Sequence, residues 1–267
     1  MATSGPQLIT PDWPAPDNVA AYATTRDGGV SEAPFDGFNL GDHVDDQPQA
    51  VVANRQLLQQ ALTGSVRCQW LQQVHGIEVA RLQSAGAVIE ADAAATARTN
   101  VACLVMTADC LPVLFCDRQG HHVAAAHAGW RGLCGGVLEA TIKAMTVPAD
   151  QIMCWLGPAI GPAAFEVGDE VRQAFCQQQP EAAQAFHPVT AAQAFASCDP
   201  TGPQKWLADI YQLARLRLQR AGVSVIYGGD FCTFTDRIST SHDQPRFFSY
   251  RRDGRTGRMA SLVWLRN

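Results

Sequence analysis

Three apolar runs, VACLVM at 101–106, LPVLFC at 111–116 and HVAAAH at 122–127, follow one another with only short polar breaks between them. Each is too short for a helix of ordinary length. None alternates with polar residues in the way a half-exposed strand does. They therefore read as consecutive strands buried on both faces, which requires covering layers on each side. A chain of 267 residues that is 47% hydrophobic and 17% charged has enough apolar material to build such layers.

Further elements surround this centre. Residues 18–25 read as a strand ending in the turn Arg26-Asp27-Gly28-Gly29. A helix is expected from Asp46, as N-cap, through Pro48 in the first turn to Leu62, with Gly64 as its stop. Residues 66–74 and 77–82 read as strands joined by a hairpin-like turn at His75-Gly76. Gly129 to Gly136 reads as a glycine-rich loop entering a helix that ends near Met145. A strand at 151–156, a loop at 157–162 and a helix at 168–176 follow. Trp206, Ile210, Leu213 and Leu216 at helical spacing predict a helix over 203–221, stopped by Gly222. Strands at 223–227, 246–252 and 258–265 complete the chain, the last two around Asp253-Gly254. Strands and helices mix throughout, with no repeat and no linker. The expectation is one α/β (α+β) domain over 1–267, with 1–17 an extended N-terminal segment and 178–204 an irregular surface excursion.

Composition narrows the function. Net charge is -5, without a basic run or basic helix face, so nucleic acid is not expected as a partner. No signal-peptide pattern opens the chain, and no apolar run approaches the ~18 residues of a membrane span. Nine scattered cysteines without a CxxC pair fit a reducing cytoplasm and exclude a zinc ribbon or thioredoxin-type motif.

The chemistry concentrates in QQVHG, TADCLP and HAGWRGL. His75, Cys110 and His127 each end a predicted strand. Two imidazoles and a thiol suit a soft or borderline divalent metal. Structural zinc sites close with four protein ligands, whereas catalytic ones keep three and an open position. The separations, 35 and 17 residues, carry little information. Taken singly, such residues are more often core histidines and small core thiols. The polar and glycine residues beside them, Asp109 and Gly129-Trp130-Arg131-Gly132, break otherwise apolar strands and call for a reason. Cys110 with either histidine could instead be a nucleophile and its base. A His2Cys set could also hold one copper with a weak axial ligand. Seven histidines without an HxH pair do not assemble a four-copper oxidase within one chain. The glycines after His127 could present backbone N–H groups to an anion, with Arg131 adding a bidentate grip. The loops TTRDGG and FDGFNLG could line a site. Arg251 and Arg252 read as the solvated end of a strand. His43, in GDHVDD, is a further candidate ligand or base.

Taken together, TTRDGGVS, FNLGDHVDD, NRQLL, QQVHG, TADCLPVLFCD, HAGWRGL, LGPAIGPAAFEVGDEV and FFSYRRDGRTGRMASLVWL resemble the YfiH family. That family is also called laccase-domain, polyphenol oxidase or purine nucleoside phosphorylase, with a peptidoglycan editing factor branch. The resemblance runs from about residue 20 to the C-terminus. It implies an α/β sandwich of the kind shared with cytotoxic necrotizing factor toxins, its mixed sheets covered by helices. It implies zinc held by His75, Cys110 and His127, with copper as the alternative metal. Phosphorolysis of adenosine, inosine, guanosine and 5'-methylthioadenosine is implied, as is adenosine deamination. Laccase-like oxidation of polyphenols has also been attributed to the family. The partners expected are a small nucleoside and phosphate, and the chain is expected to be a monomer or weak homodimer. On this reading Cys110, Asp109 and Arg131 are the candidate catalytic residues. Arg26, Phe35, Asn39, Trp130 and Arg251 are the candidate substrate-binding residues. A cysteine hydrolase acting on cell-wall precursors, or a non-catalytic partner of a precursor ligase, are the competing readings.

Overall fold

The structure, a computed structural model, describes residues 5–62, 64–189, 204–238 and 241–267. The predicted runs form the strands Val101–Thr107, Leu111–Asp117 and Val123–Ala128, and every residue in them is buried. They are divided between two sheets. One has five strands, in the order Leu8–Ile9, Val19–Thr24, Met259–Leu265, Val101–Thr107 and Arg67–Gln69. The other has six: Val225–Gly228, Ile152–Leu156, Leu111–Asp117, Val123–Ala128, Ala93–Thr96 and Val79–Leu82. Both are mixed. The central pairings are antiparallel, and parallel strands lie at the edges.

The period of two along each strand explains the layering. Val101, Cys103 and Val105 face Leu114, Cys116, Val123 and Ala125 across the space between the sheets. Ala102, Leu104 and Met106 point the other way, onto Leu58 of the helix Pro48–Ala61, its C-cap Leu62, and the neighbouring Phe38 and Leu40. Val113, Phe115, Ala124 and Ala126 carry the second outer face. It is covered by the helices Val137–Met145, Asp169–Gln178 and Ile210–Arg220. The layers therefore run helix, sheet, sheet, helices, which is the expected α/β sandwich. Each large aliphatic side chain buried in these interfaces stabilises the fold by about 1.5–3 kcal/mol. The alanines of Ala93–Thr96 and Val123–Ala128 keep the sheet surface low where Val137, Leu138 and Ile142 pack.

Several local expectations are overturned. No hairpin turns at His75: Arg67–Gln69 and Val79–Leu82 belong to different sheets, so residues 70–78 cross between layers. Asp46 does not cap the first helix. The N-cap is Gln47, and Asp46 instead accepts from Ser31 Oγ and Asn39 Nδ2. The segment after His127 is helical, not loop: Trp130–Gly135 forms a short helix that Gly136 (φ 104°) separates from Val137–Met145. Trp206 lies in the strand Lys205–Ala208, and the helix begins after Asp209, whose side chain accepts the Gln212 N–H. Residues 246–252 are not a strand. Tyr250–Asp253 is one helical turn capped by Ser249. Within 178–204, Ala182, Ala185 and Phe186 join the core, so that part is no surface excursion. Residues 190–203 of the same stretch lie outside the described residues.

Candidate metal centre

Cys110 and His127 are brought together by strand register. In the antiparallel pair, Leu111 stands opposite Ala128 and Pro112 opposite His127, so Cys110 immediately precedes one strand beside the end of the other, where His127 is the second-last residue. His127 is on the face that Val123 and Ala125 turn toward the space between the sheets. The site thus opens at one end of the sandwich. His75 reaches it from the crossing segment, with its backbone in the left-handed region at φ 60°. A non-glycine residue pays for that conformation, and here a carboxylate holds it.

That carboxylate is Asp92, fully buried at the start of Ala93–Thr96. It accepts from the backbone N–H groups of Val74 (3.2 Å), His75 (2.9 Å) and Gly76 (2.6 Å). It also takes the His127 ring Nδ1 at 2.8 Å. With Nδ1 so engaged, His127 turns Nε2 toward Cys110. The ligand atoms of His75, Cys110 and His127 all lie within 4.8 Å of one another, and Cys110 Sγ is 3.9 Å from His75 Nε2. Ligand atoms around a tetrahedral zinc, at bond lengths of about 2.0–2.3 Å, stand roughly 3.5 Å apart. The trio is more widely spaced than that, so a bound metal would draw the three side chains together.

Gly129 shows that room is kept for the group. A Cβ there would stand 2.9 Å from Cys110 Sγ, 2.9 Å from His75 Cδ2 and 3.6 Å from His127 Nε2. Electrostatics fit as well. Burial pushes the Cys110 thiol up, but the imidazoles of His127 and His75 outweigh it and bring it down to about 6. A thiol so easily ionised is a good ligand. Burial likewise works against the Asp92 carboxylate, yet the His127 and backbone hydrogen bonds hold it below the ordinary range. Cys103, Cys116 and Cys154, buried among apolar strands, are pushed up instead. Among the described residues, the trio is the one group of three or more such side chains placed to hold a metal.

The trio lies in a cleft of about 460 Å³. Asp109, Trp130, Arg131 and Arg251 line it, together with His43. Arg251 belongs to a helical turn rather than a strand end, with its guanidinium 5.8 Å from the Phe165 ring. Asp109 uses both oxygens structurally, accepting the Thr233 hydroxyl at 2.6 Å and the Arg251 N–H at 2.6 Å. Arg26, Phe35 and Asn39 do not line the cleft. Arg26 pairs with Asp36 and lies over Phe248, and Phe35 sits beneath Arg255. Asn39 is buried, ordering Gly41, Asp46 and Arg258. A larger cavity of about 670 Å³, near Thr25, Asp27 and Arg246, is lined by none of the trio.

Asp92, Arg258 and Tyr250 escaped the sequence reading. Asp92 had a signal: it is the one acid inside the small-residue string ADAAAT. Arg258 and Tyr250 line the cleft but sit among other charged residues near the C-terminus, with nothing to single them out. Among the described residues, no helix is long and apolar enough to cross a membrane.

Comparison with known proteins agrees with this architecture. The chain is 54% identical to a Pseudomonas aeruginosa protein named purine nucleoside phosphorylase, over 97% of this chain and 98% of that one. It is 50% identical to purine nucleoside phosphorylase YfiH of Escherichia coli, over 97% and 99%. A Neisseria meningitidis crystal structure superposes with a TM-score of 0.84 at 51% identity, covering 97% of this chain and 99% of that one. YlmD of Geobacillus stearothermophilus superposes at 0.85 with 29% identity, over 100% and 98%. A family model described as multi-copper polyphenol oxidoreductase laccase matches residues 20–266. With that match and these relatives, the chain belongs to the laccase-domain family that includes YfiH.

Proposed function

We propose that the chain is a zinc-dependent purine nucleoside phosphorylase, acting on adenosine, inosine, guanosine and 5'-methylthioadenosine, with adenosine deamination in the same cleft. The observation that carries the reading is a three-ligand centre at the base of a cleft whose walls also bear Arg131, Arg251 and Arg258. Zinc bound there would supply a Lewis acid with one open position. The arginines are suited to an anion: guanidinium groups bind phosphate through paired, charge-assisted hydrogen bonds. Arg258 is aimed by the carbonyls of Thr256 and Gly257, which accept from its Nη1 at 2.9 and 3.1 Å. Trp130, Phe165 and Ile160 offer apolar surface for a purine. In phosphorolysis a phosphate oxygen bonds to ribose C1' as the glycosidic C–N bond breaks. The electron pair leaves with the purine, which takes up the proton carried by the phosphate. Asp109 holds the Arg251 backbone beside Cys110, and its role on this reading is to position both.

Zinc is the metal of this reading because three ligands with an open position match its catalytic sites, with copper the alternative for a His2Cys set. The test is a nucleoside panel followed by mass spectrometry, with and without phosphate, on zinc-loaded wild type and Cys110→Ala. Free base and ribose 1-phosphate should form only with phosphate and only in the wild type. Inosine and adenosine left intact under all conditions refute the proposal. Activity in chelator-treated protein that is abolished by thiol alkylation would favour a cysteine hydrolase instead.

A further inference from the structure

We infer that Asp92 is the positioning residue of the metal centre: it locks His75 and His127 into ligating geometry. The inference rests on the reading that the trio binds metal, and not on which reaction follows.

Asp92 grips His127 at two points. Its carbonyl accepts the His127 backbone N–H at 2.7 Å, and its carboxylate accepts the ring Nδ1 at 2.8 Å. One residue thereby fixes both the strand position and the ring orientation of the ligand. The same carboxylate gathers three consecutive N–H groups, from Val74, His75 and Gly76, and so holds the turn that carries the other imidazole. The two histidine rings meet edge to face at 4.8 Å. Four donors match the four acceptor positions of an ionised carboxylate. An asparagine has one acceptor oxygen, and its NH2 would face N–H groups that have nothing to receive.

Hydrogen-bonding partners of ligating histidines usually change metal affinity by 10–100-fold when removed.

The test is zinc affinity by competition with a chromophoric chelator for full-length wild type, Asp92→Asn and Asp92→Ala. The His127 ring protonation site, read by nitrogen NMR in the zinc-loaded wild type, accompanies it. Both variants should bind zinc 10–100-fold more weakly, and the wild-type proton should sit on Nδ1, leaving Nε2 to the metal. Wild-type affinity in Asp92→Asn overturns the inference. So does a wild-type His127 that carries its proton on Nε2, a result that needs no variant to fold. Inactivity toward nucleosides with the affinity loss intact would refute the proposed function and leave this inference standing.

Discussion

Replacing Gly129 by alanine tests the centre with the smallest possible change. Gly129 has φ -61° and ψ 158°, values any residue adopts, so the backbone itself does not resist the substitution. As a helix N-cap, alanine costs at most about 1 kcal/mol relative to glycine. The added Cβ, however, would lie 2.9 Å from both Cys110 Sγ and His75 Cδ2, where ordinary contact begins at 3.4 Å. Each ligand must therefore retreat by about 0.5 Å, and metal–ligand bonds tolerate only about 0.2 Å. Zinc affinity should fall by at least about 100-fold, or roughly 2.7 kcal/mol. Chelator competition measures the affinity, and a melt of zinc-stripped protein checks that the fold is intact. A Gly129→Ala protein whose zinc affinity stays within threefold of wild type would refute the placement of the metal between these residues.

Other perturbations reach different parts of the account. Arg258→Ala should raise the KM for phosphate by about 10–100-fold, the loss of one charge-assisted contact of about 1.5–3 kcal/mol, with less change in the KM for inosine; steady-state kinetics against each substrate decides this. Tyr211 accepts the buried Ala159 N–H at 2.8 Å and donates to the carbonyl of half-buried Phe231 at 2.9 Å. Tyr211→Phe leaves both without that partner and should lower stability by about 1–3 kcal/mol in urea unfolding. Burial raises the Asp27 carboxyl, against the lowering effect of Arg26 and Arg246. Its contribution to stability is therefore full below the ordinary carboxylate pKa and lost as pH rises through the raised value. Asp27→Asn should raise the melting temperature at pH 7 relative to wild type, with the gain shrinking toward pH 4. A gain equal at both pH values would contradict that linkage.

The buried strands were legible because residues apolar on both faces have few alternatives to a covered sheet. Cys110 and His127 were legible too, since adjacent strands carry them to the same end. What escaped depended on partners distant in sequence or on single caps. Trp206 fits the helical spacing of Ile210 and Leu213, but Asp209 caps the helix and so ends it on that side. SYRRDG reads as a hairpin until Ser249 Oγ accepts the Arg252 N–H and closes a helical turn. Asp92 stands out as an acid among alanines, but it does its work on residues 16 to 35 positions away, so no local pattern names its partners. Arg26 and Asn39 were misplaced for a related reason: loops rich in polar residues and glycine can serve a ligand or one another. Here they hold the turns around Asp36 and Asp46.

X-ray absorption on the purified protein, with metal content measured on the same sample, tests the central claim most directly. One zinc per chain, with one sulfur at about 2.3 Å and two imidazole nitrogens at about 2.0–2.1 Å, is the predicted result. A single sulfur and two nitrogens leave a light, exchangeable atom in the fourth position. Several coppers per chain, a fourth protein ligand closing the sphere, or a metal that persists in Cys110→Ala with unchanged coordination would contradict it.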